Sequence, residues 1–135
     1  MDSVSKNKKV LVLVLAVFLV VFYAFVKFFA TFEVLQFIGF YNIDKLAHIA
    51  GGMLIALLFE WLSPRKSLLL LVTLLGVVAV SWEIMEALFD PAVIYFYHHS
   101  PDLWRLDTAG DITAGLLGAY SYWILAARRN PRSPA

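Results

Sequence analysis

The sequence predicts an all-α polytopic membrane protein: one domain over residues 1–135, four transmembrane helices, and both termini cytoplasmic. Three observations predict it. Of 135 residues, 61% are hydrophobic and 16% are charged, where a soluble domain is about half apolar and about a quarter charged. Apolar stretches recur at close to the roughly 20 residues that cross a bilayer core. The basic residues gather on one side of those stretches.

The expected spans are residues 10–31, 44–62, 67–89 and 108–127. Helices are required because backbone groups in lipid must pair within their own segment. Lys6, Lys8 and Lys9 stand ahead of the first apolar run, as in a signal peptide. That run is longer than a usual signal core, and Ala30-Thr31-Phe32 is a poor cleavage site, so an uncleaved anchor is expected. Arg65 and Lys66 fall between the second and third spans, and Arg128, Arg129 and Arg132 follow the fourth. With an even number of spans, all of these share the side of the N-terminal lysines. The positive-inside rule makes that side cytoplasmic, which places the chain in the plasma (inner) membrane.

The composition also excludes functions. There is no cysteine, so neither a disulfide framework nor a thiolate metal site is available. A net charge of +1 carries no basic surplus for nucleic acid. The expected partners are the lipid bilayer and a lipid or lipid-linked ligand. The outer connections are rich in aromatics (Phe37, Phe40, Tyr41; Tyr95, Phe96, Tyr97, Trp104), which favour the headgroup level. No internal repeat or low-complexity stretch is visible.

The acidic residues are distributed unevenly on this topology. Asp2 and Glu60 lie toward the cytoplasmic side. Glu33, Asp44, Glu83, Glu86, Asp90, Asp102, Asp107 and Asp111 fall in the outer half or beyond it, with His48, His98 and His99. Three helix ends contribute pairs at helical spacing: Asp44 with His48, Glu83 with Glu86, and Asp107 with Asp111. Each pair shares one helix face. The second and fourth spans run inward and the third runs outward, so the pairs reach a similar depth.

Part of this has a plain explanation. Asp44 and Asp107 suit helix starts, where a carboxylate caps free amides, with Asn42 and Thr108 competing for the role. Glu86, Asp90 and Asp102 suit interfacial water, and Glu33 ends the first span. Lys27 can snorkel. Lys45, adjacent to Asp44, is expected to face elsewhere and meet headgroup phosphates. Arg105 pairs with Asp102 or holds an anionic group, and Glu60 is within reach of Arg65 and Lys66. His48, Glu83 and Asp111 resist this explanation, because ionisable groups inside the apolar zone cost several kcal/mol unless paired, hydrated or protonated. A structural network, for example His48 bonded to Asp111, is the alternative to a site.

Gly51 and Gly52 in the second span, and Gly115 and Gly118 in the fourth, let helices approach closely. Gly52 follows His48 by four residues and Gly115 follows Asp111 by four, so the small residues share the polar faces. Crowded carboxylates need shared protons or a cation. Oxygen donors with one imidazole suit a divalent metal such as Zn²⁺, Mg²⁺ or Mn²⁺. The candidate ligands are Asp44, His48, Glu83 and Asp111, with Glu86 and Asp107 behind them or as a second set. All six are candidate catalytic groups. No His-Glu-x-x-His, Gly-rich phosphate loop or Ser nucleophile elbow is present.

Asp44-Lys45-Leu46-Ala47-His48 with Gly52, then Glu83 with Glu86, then Asp107-Thr108, Asp111 and Gly118-Ala119, resembles the motif series of the VanZ-like membrane proteins. The paired acids of the third span and the Asp-rich fourth are similar to the related YjdF-type inner-membrane proteins. The likeness covers about residues 38 to 122. It implies that Asp44, His48, Glu83, Glu86, Asp107 and Asp111 are the characteristic polar positions of the family. The chain departs where VanZ-like proteins carry Gln (here Glu86) and Asn (here Gly115), and Arg105 matches their Arg-Ser pair only approximately. A teicoplanin-resistance role is therefore not carried over. Two functional expectations follow. One is a metal- or carboxylate-dependent enzyme on outer-leaflet lipid or lipid-linked envelope substrates. The other is a non-enzymatic membrane protein whose cluster is structural or binds an amphipathic ligand or membrane partner. Proton or cation movement is a third possibility, poorly served by the apolar inner half.

Overall fold

The computed structural model describes residues 3–28, 43–63, 67–97 and 100–129. They form five helices: α1 (Ser3–Phe28), α2 (Asp44–Leu62), α3 (Leu68–Phe89), α4 (Pro91–Tyr97) and α5 (Pro101–Arg129). The all-α expectation holds. Among the described residues, two helices, α2 and α3, are long and apolar enough to cross a membrane. The apolar part of α1 within the described residues is the shorter Lys9–Phe25, and its expected end at Thr31 lies outside them. In α5, glycines, tyrosines, Thr108, Asp111 and Ser121 dilute the apolar character over the expected 108–127 stretch.

The helix ends have local causes. Ser67 precedes α3 in an extended conformation, and its Oγ accepts from the Leu70 N–H at 3.4 Å. This satisfies one of the free amides of the first turn. Asp44 is the first residue of α2, with Ile43 before it making no side-chain cap. Its carboxylate therefore lies at the positive end of the helix dipole. Asp90 ends α3 and Pro91 opens α4 at once, since proline suits a first helical turn. The Pro91–Leu106 connection, expected as an interfacial loop, is instead helical at Pro91–Tyr97 and again from Pro101. Prolines again sit at helical starts, where their missing N–H is no loss.

α2 and α5 run parallel and make the most extensive contact in the molecule. Glycine is what permits it. A Cβ on Gly52 would run into the backbone of Gly115, and one on Gly118 into the backbone of Ile49. The helices thus touch backbone to backbone, the close approach that small residues allow. α3 is antiparallel to both, and α4 packs against α3 and α5. Ala56, Leu57, Phe59, Leu71, Leu75, Ala119 and Tyr122 form the core cluster, with Leu11 and Val12 of α1 packed on it. At the far end of α1, Tyr23 meets Trp82 edge to face, 6.4 Å between centroids. α1 therefore runs with α3, and the start of α1 and the end of α5 share one end of the bundle. Large apolar side chains such as Val17, Val21, Leu69, Val77 and Leu88 are exposed along α1 and α3. An apolar surface of this extent matches lipid rather than water.

Candidate functional site

The starts of α2 and α5 and the end of α3 converge at the end of the bundle away from the core cluster. Three elements thus deliver the acidic residues to one level. Asp111 and Glu83 are the buried charged residues among those described, 4% and 6% exposed. Asp111 sits in the third turn of α5, held close to α2 by the Gly52–Gly115 contact below it. Glu83 reaches in from α3 and accepts a hydrogen bond from the Thr108 hydroxyl at 2.9 Å. His48 Nε2 lies 3.4 Å from Asp111 Oδ1.

Lys45 lies at the centre, contrary to the expectation that it faces headgroups. Its ammonium is 3.2 Å from Asp44 Oδ2, 2.5 Å from Asp107 Oδ1 and 2.6 Å from Asp111 Oδ1. The stem crosses α5 at Gly110, where an added Cβ would stand 3.0 Å from Lys45 Cε. Residue spacing alone puts Lys45 a hundred degrees around from Asp44. Its four-carbon stem and the missing side chain at Gly110 bring it back. Lys45 is thus the ion-pair partner of Asp111 Oδ1, while Oδ1 of Asp44 makes no hydrogen bond. His48 and Asp111, the pair named for a structural network, stand 3.4 Å apart.

Asp107 was expected at a helix start. α5 begins at Pro101, so Asp107 is inside the helix and caps nothing. Its carboxylate accepts from Lys45 and, through Oδ2, from the Tyr97 hydroxyl at 2.7 Å. Tyr97 belongs to α4 and was read as an interfacial aromatic. Burial and its bond to the Asp107 carboxylate push its phenol well above the ordinary tyrosine value. Thr108, read as a competing cap, is the Glu83 partner. Glu86 stands outside the cluster, with Trp82 as its hydrogen-bond partner. Arg105 pairs with Asp102 at 3.0 Å on the exposed side of α5. Glu60, at the opposite end, accepts from the Tyr122 hydroxyl at 2.6 Å. Arg65, Lys66, His98, His99 and Glu33 lie outside the described residues, as does the side chain of Lys27.

Two overlapping groups of ligand atoms result. One oxygen or nitrogen from each of His48, Glu83 and Asp111 lies within 4.8 Å of the others, and the same holds for Asp44, Asp107 and Asp111. An ion with bonds of about 2.1 Å spaces its ligands by about 3–4 Å, so either group can close on a cation with small side-chain adjustments. The first offers one nitrogen and two oxygen donors, a set suited to Zn²⁺ or Mn²⁺. The second is all oxygen and already surrounds an ammonium. Three carboxylates pair with one lysine and Glu83 lies beside them, an imbalance that protons or a further cation must offset.

A helical membrane protein with a buried acidic and histidine cluster at one end of its bundle is the class that fold and site define. The chain belongs to the DUF2238 family of predicted membrane proteins, whose model matches residues 4–132. No curated protein and no solved structure matches it.

Proposed function

We propose that this protein crosses the plasma membrane four times and holds a divalent cation between His48, Glu83 and Asp111. With that cation it acts on an outer-leaflet lipid or lipid-linked envelope precursor. The observation that carries the reading is the convergence of these three ligand atoms within 4.8 Å, from three helices, in a site where both acids are buried. Buried carboxylates are costly unless something neutralises them, and a divalent ion does so with the donors present.

The four-span arrangement is supported by α1 and α5, which both pack against α2. Lys9 and Arg128, near the start of α1 and the end of α5, lie at the end opposite the cluster. With the positive-inside rule this supports cytoplasmic termini and an extracytoplasmic site. The order of Asp44, Lys45, His48, Glu83, Asp107 and Asp111 supports kinship with the VanZ-like and YjdF-type proteins.

When bound, the cation supplies Lewis acidity toward a phosphoryl or acyl oxygen. The protein's own groups set the rest. Thr108 occupies one oxygen of Glu83 and leaves the other for the ion. Asp111 presents Oδ1, which the Lys45 ammonium faces at 2.6 Å. Asp44 and Asp107 are placed to accept a proton near the reacting centre, and Tyr97 fixes the rotamer of Asp107. Glu86 has an outer, electrostatic role through Glu83.

A second reading is favoured by the Tyr97–Asp107, Thr108–Glu83 and Lys45 contacts: a purely structural polar network in a non-enzymatic membrane protein. Thermal unfolding of chelator-treated protein separates the two. A site predicts that Asp111→Asn and His48→Ala are neutral or stabilising without metal, because functional groups are held at the expense of stability. Strong destabilisation by both would establish the network and reject the site.

A further inference from the structure

We infer that a groove between the first two turns of α3 and the middle of α5 holds one acyl chain of an anionic glycerophospholipid, whose headgroup meets the basic end of the bundle. This site is separate from the acidic cluster and does not depend on a metal there. α2 and α5 close on each other because Gly115 and Gly118 face α2. Toward α3, α5 presents Thr113, Leu116 and Tyr120 to Leu68, Val72 and Leu75, and an apolar groove of about 300 Å³ remains between the two helices. The Thr113 hydroxyl donates to the Ala109 carbonyl at 2.7 Å, so the threonine brings no free polar group into the groove. Val72, Thr113 and Tyr120 are exposed, so the groove opens sideways onto the surroundings of the bundle.

Size and position decide the occupant. Leu68 to Leu75 covers about 10 Å of helix, which fits inside one leaflet with its roughly 15 Å of hydrocarbon. A groove of about 300 Å³ has room for about ten methylene groups at the roughly 30 Å³ of a water-sized group. A partner's transmembrane helix, about 10 Å across, fills roughly 800 Å³ over the same length. Such a helix can lie across the opening but cannot enter it. Charge then selects the headgroup. The groove starts at Leu68, the first residue of α3, and Arg128 is exposed near the end of α5 on the same side of the bundle. The sequence adds Arg65 and Lys66 just ahead of Ser67, and Arg129 after Arg128. Glu60, an acid at this end, is engaged by the Tyr122 hydroxyl. Basic residues at a leaflet boundary attract acidic headgroups.

The test is lipid binding to delipidated full-length protein, read by native mass spectrometry with dioleoyl phosphatidylglycerol or dioleoyl phosphatidylcholine as the probe. Wild type is expected to retain one phosphatidylglycerol severalfold more tightly than phosphatidylcholine, and the difference should shrink as salt screens the headgroup. Thr113→Trp, which fills the groove from an exposed position, should lose that lipid; Val72→Trp, on the facing wall, serves if it does not fold. Arg128→Gln should bring phosphatidylglycerol close to phosphatidylcholine. Val77→Trp, exposed on α3 outside the groove, should leave binding unchanged. Equal retention of the two lipids by wild type, or phosphatidylglycerol held undiminished by the folded groove variant, overturns the proposal: the lipid is then an unspecific coat, or a partner helix covers the face. Release of the lipid by Glu83→Gln and not by Arg128→Gln overturns it too, because the chain then hangs from the acidic end. Metal is measured on the same samples. Wild type that holds phosphatidylglycerol without metal leaves this site standing while the His48/Glu83/Asp111 reading fails.

Discussion

Lys45 and Asp111 meet across the α2–α5 interface as an ion pair, ammonium nitrogen 2.6 Å from Oδ1. The pair joins the first turn of one helix to the third turn of another. It also marks where the two candidate cation positions overlap. Much of the behaviour of the acidic end follows from this contact.

Removing the cation is expected to harm the metal-free protein more than removing the anion. Lys45→Met leaves Asp44, Asp107 and Asp111 uncompensated and should cost about 3–5 kcal/mol, the usual cost of breaking a buried pair. Asp111→Asn leaves the lysine with two partners and relieves repulsion among the acids. Chemical unfolding of both single variants and the double variant, with chelator present, checks this. The double variant should recover part of the Lys45→Met loss; strictly additive losses would deny the coupling.

The glycine contact below the site should be sensitive to a single methyl group. Gly52→Ala and Gly118→Ala each force a Cβ into the backbone of the partner helix. Each should lower stability by about 1–3 kcal/mol, the range for overpacking. Gly51→Ala, with open space around its Cβ, should be neutral or slightly stabilising, since alanine favours helix. Melting temperatures of the three variants in one detergent decide it. Equal gains in all three would show that helix propensity, not contact, governs the outcome.

Sequence reasoning found the helices where apolar runs were long and bounded. α2 begins and ends at the expected residues, and α3 differs by one. It failed where a short polar stretch turned helical: Pro101–Asp107 extends α5 by two turns, and α4 was not foreseen. The three pairs Asp44/His48, Glu83/Glu86 and Asp107/Asp111 were legible as faces because helical spacing is a local property. Which members meet is a tertiary property: Glu86 belongs to neither group of converging ligand atoms. Lys45, Tyr97 and Thr108 were missed for one reason: each long or short polar side chain reaches a partner on another helix, and angular position along its own helix does not report that. Gly110, three residues after Asp107, was the available signal for a side chain crossing there.

Tyr97→Phe should change how stability responds to alkali. The phenol's proton is held more tightly in the folded protein than in the unfolded chain, whose tyrosines titrate near 10. The folded state thus binds more protons above that value, so this group's contribution is full below about pH 10 and is lost as pH rises beyond it. Wild type should therefore lose stability more steeply than Tyr97→Phe above about pH 10, other groups being common to both. Near neutrality the variant should lose about 1–2 kcal/mol with the phenol–carboxylate bond. Parallel stability curves at high pH would contradict the assignment.

Thr108→Val is expected to preserve the fold and weaken metal binding by about 10–100-fold, as is usual when a partner orienting a ligand is removed. The hydroxyl holds one oxygen of Glu83 at 2.9 Å and so fixes the other. Thr108→Ser should restore most of the affinity. Metal titrations of the two variants beside wild type test this, and equal affinities in all three would remove Thr108 from the site.

The most direct measurement is elemental analysis of detergent-purified wild type beside Glu83→Ala and Asp111→Ala. A divalent cation held by His48, Glu83 and Asp111 predicts stoichiometric metal in the wild type and its loss from both folded variants. Wild type that holds no metal even after loading, or variants that retain it, would contradict the account.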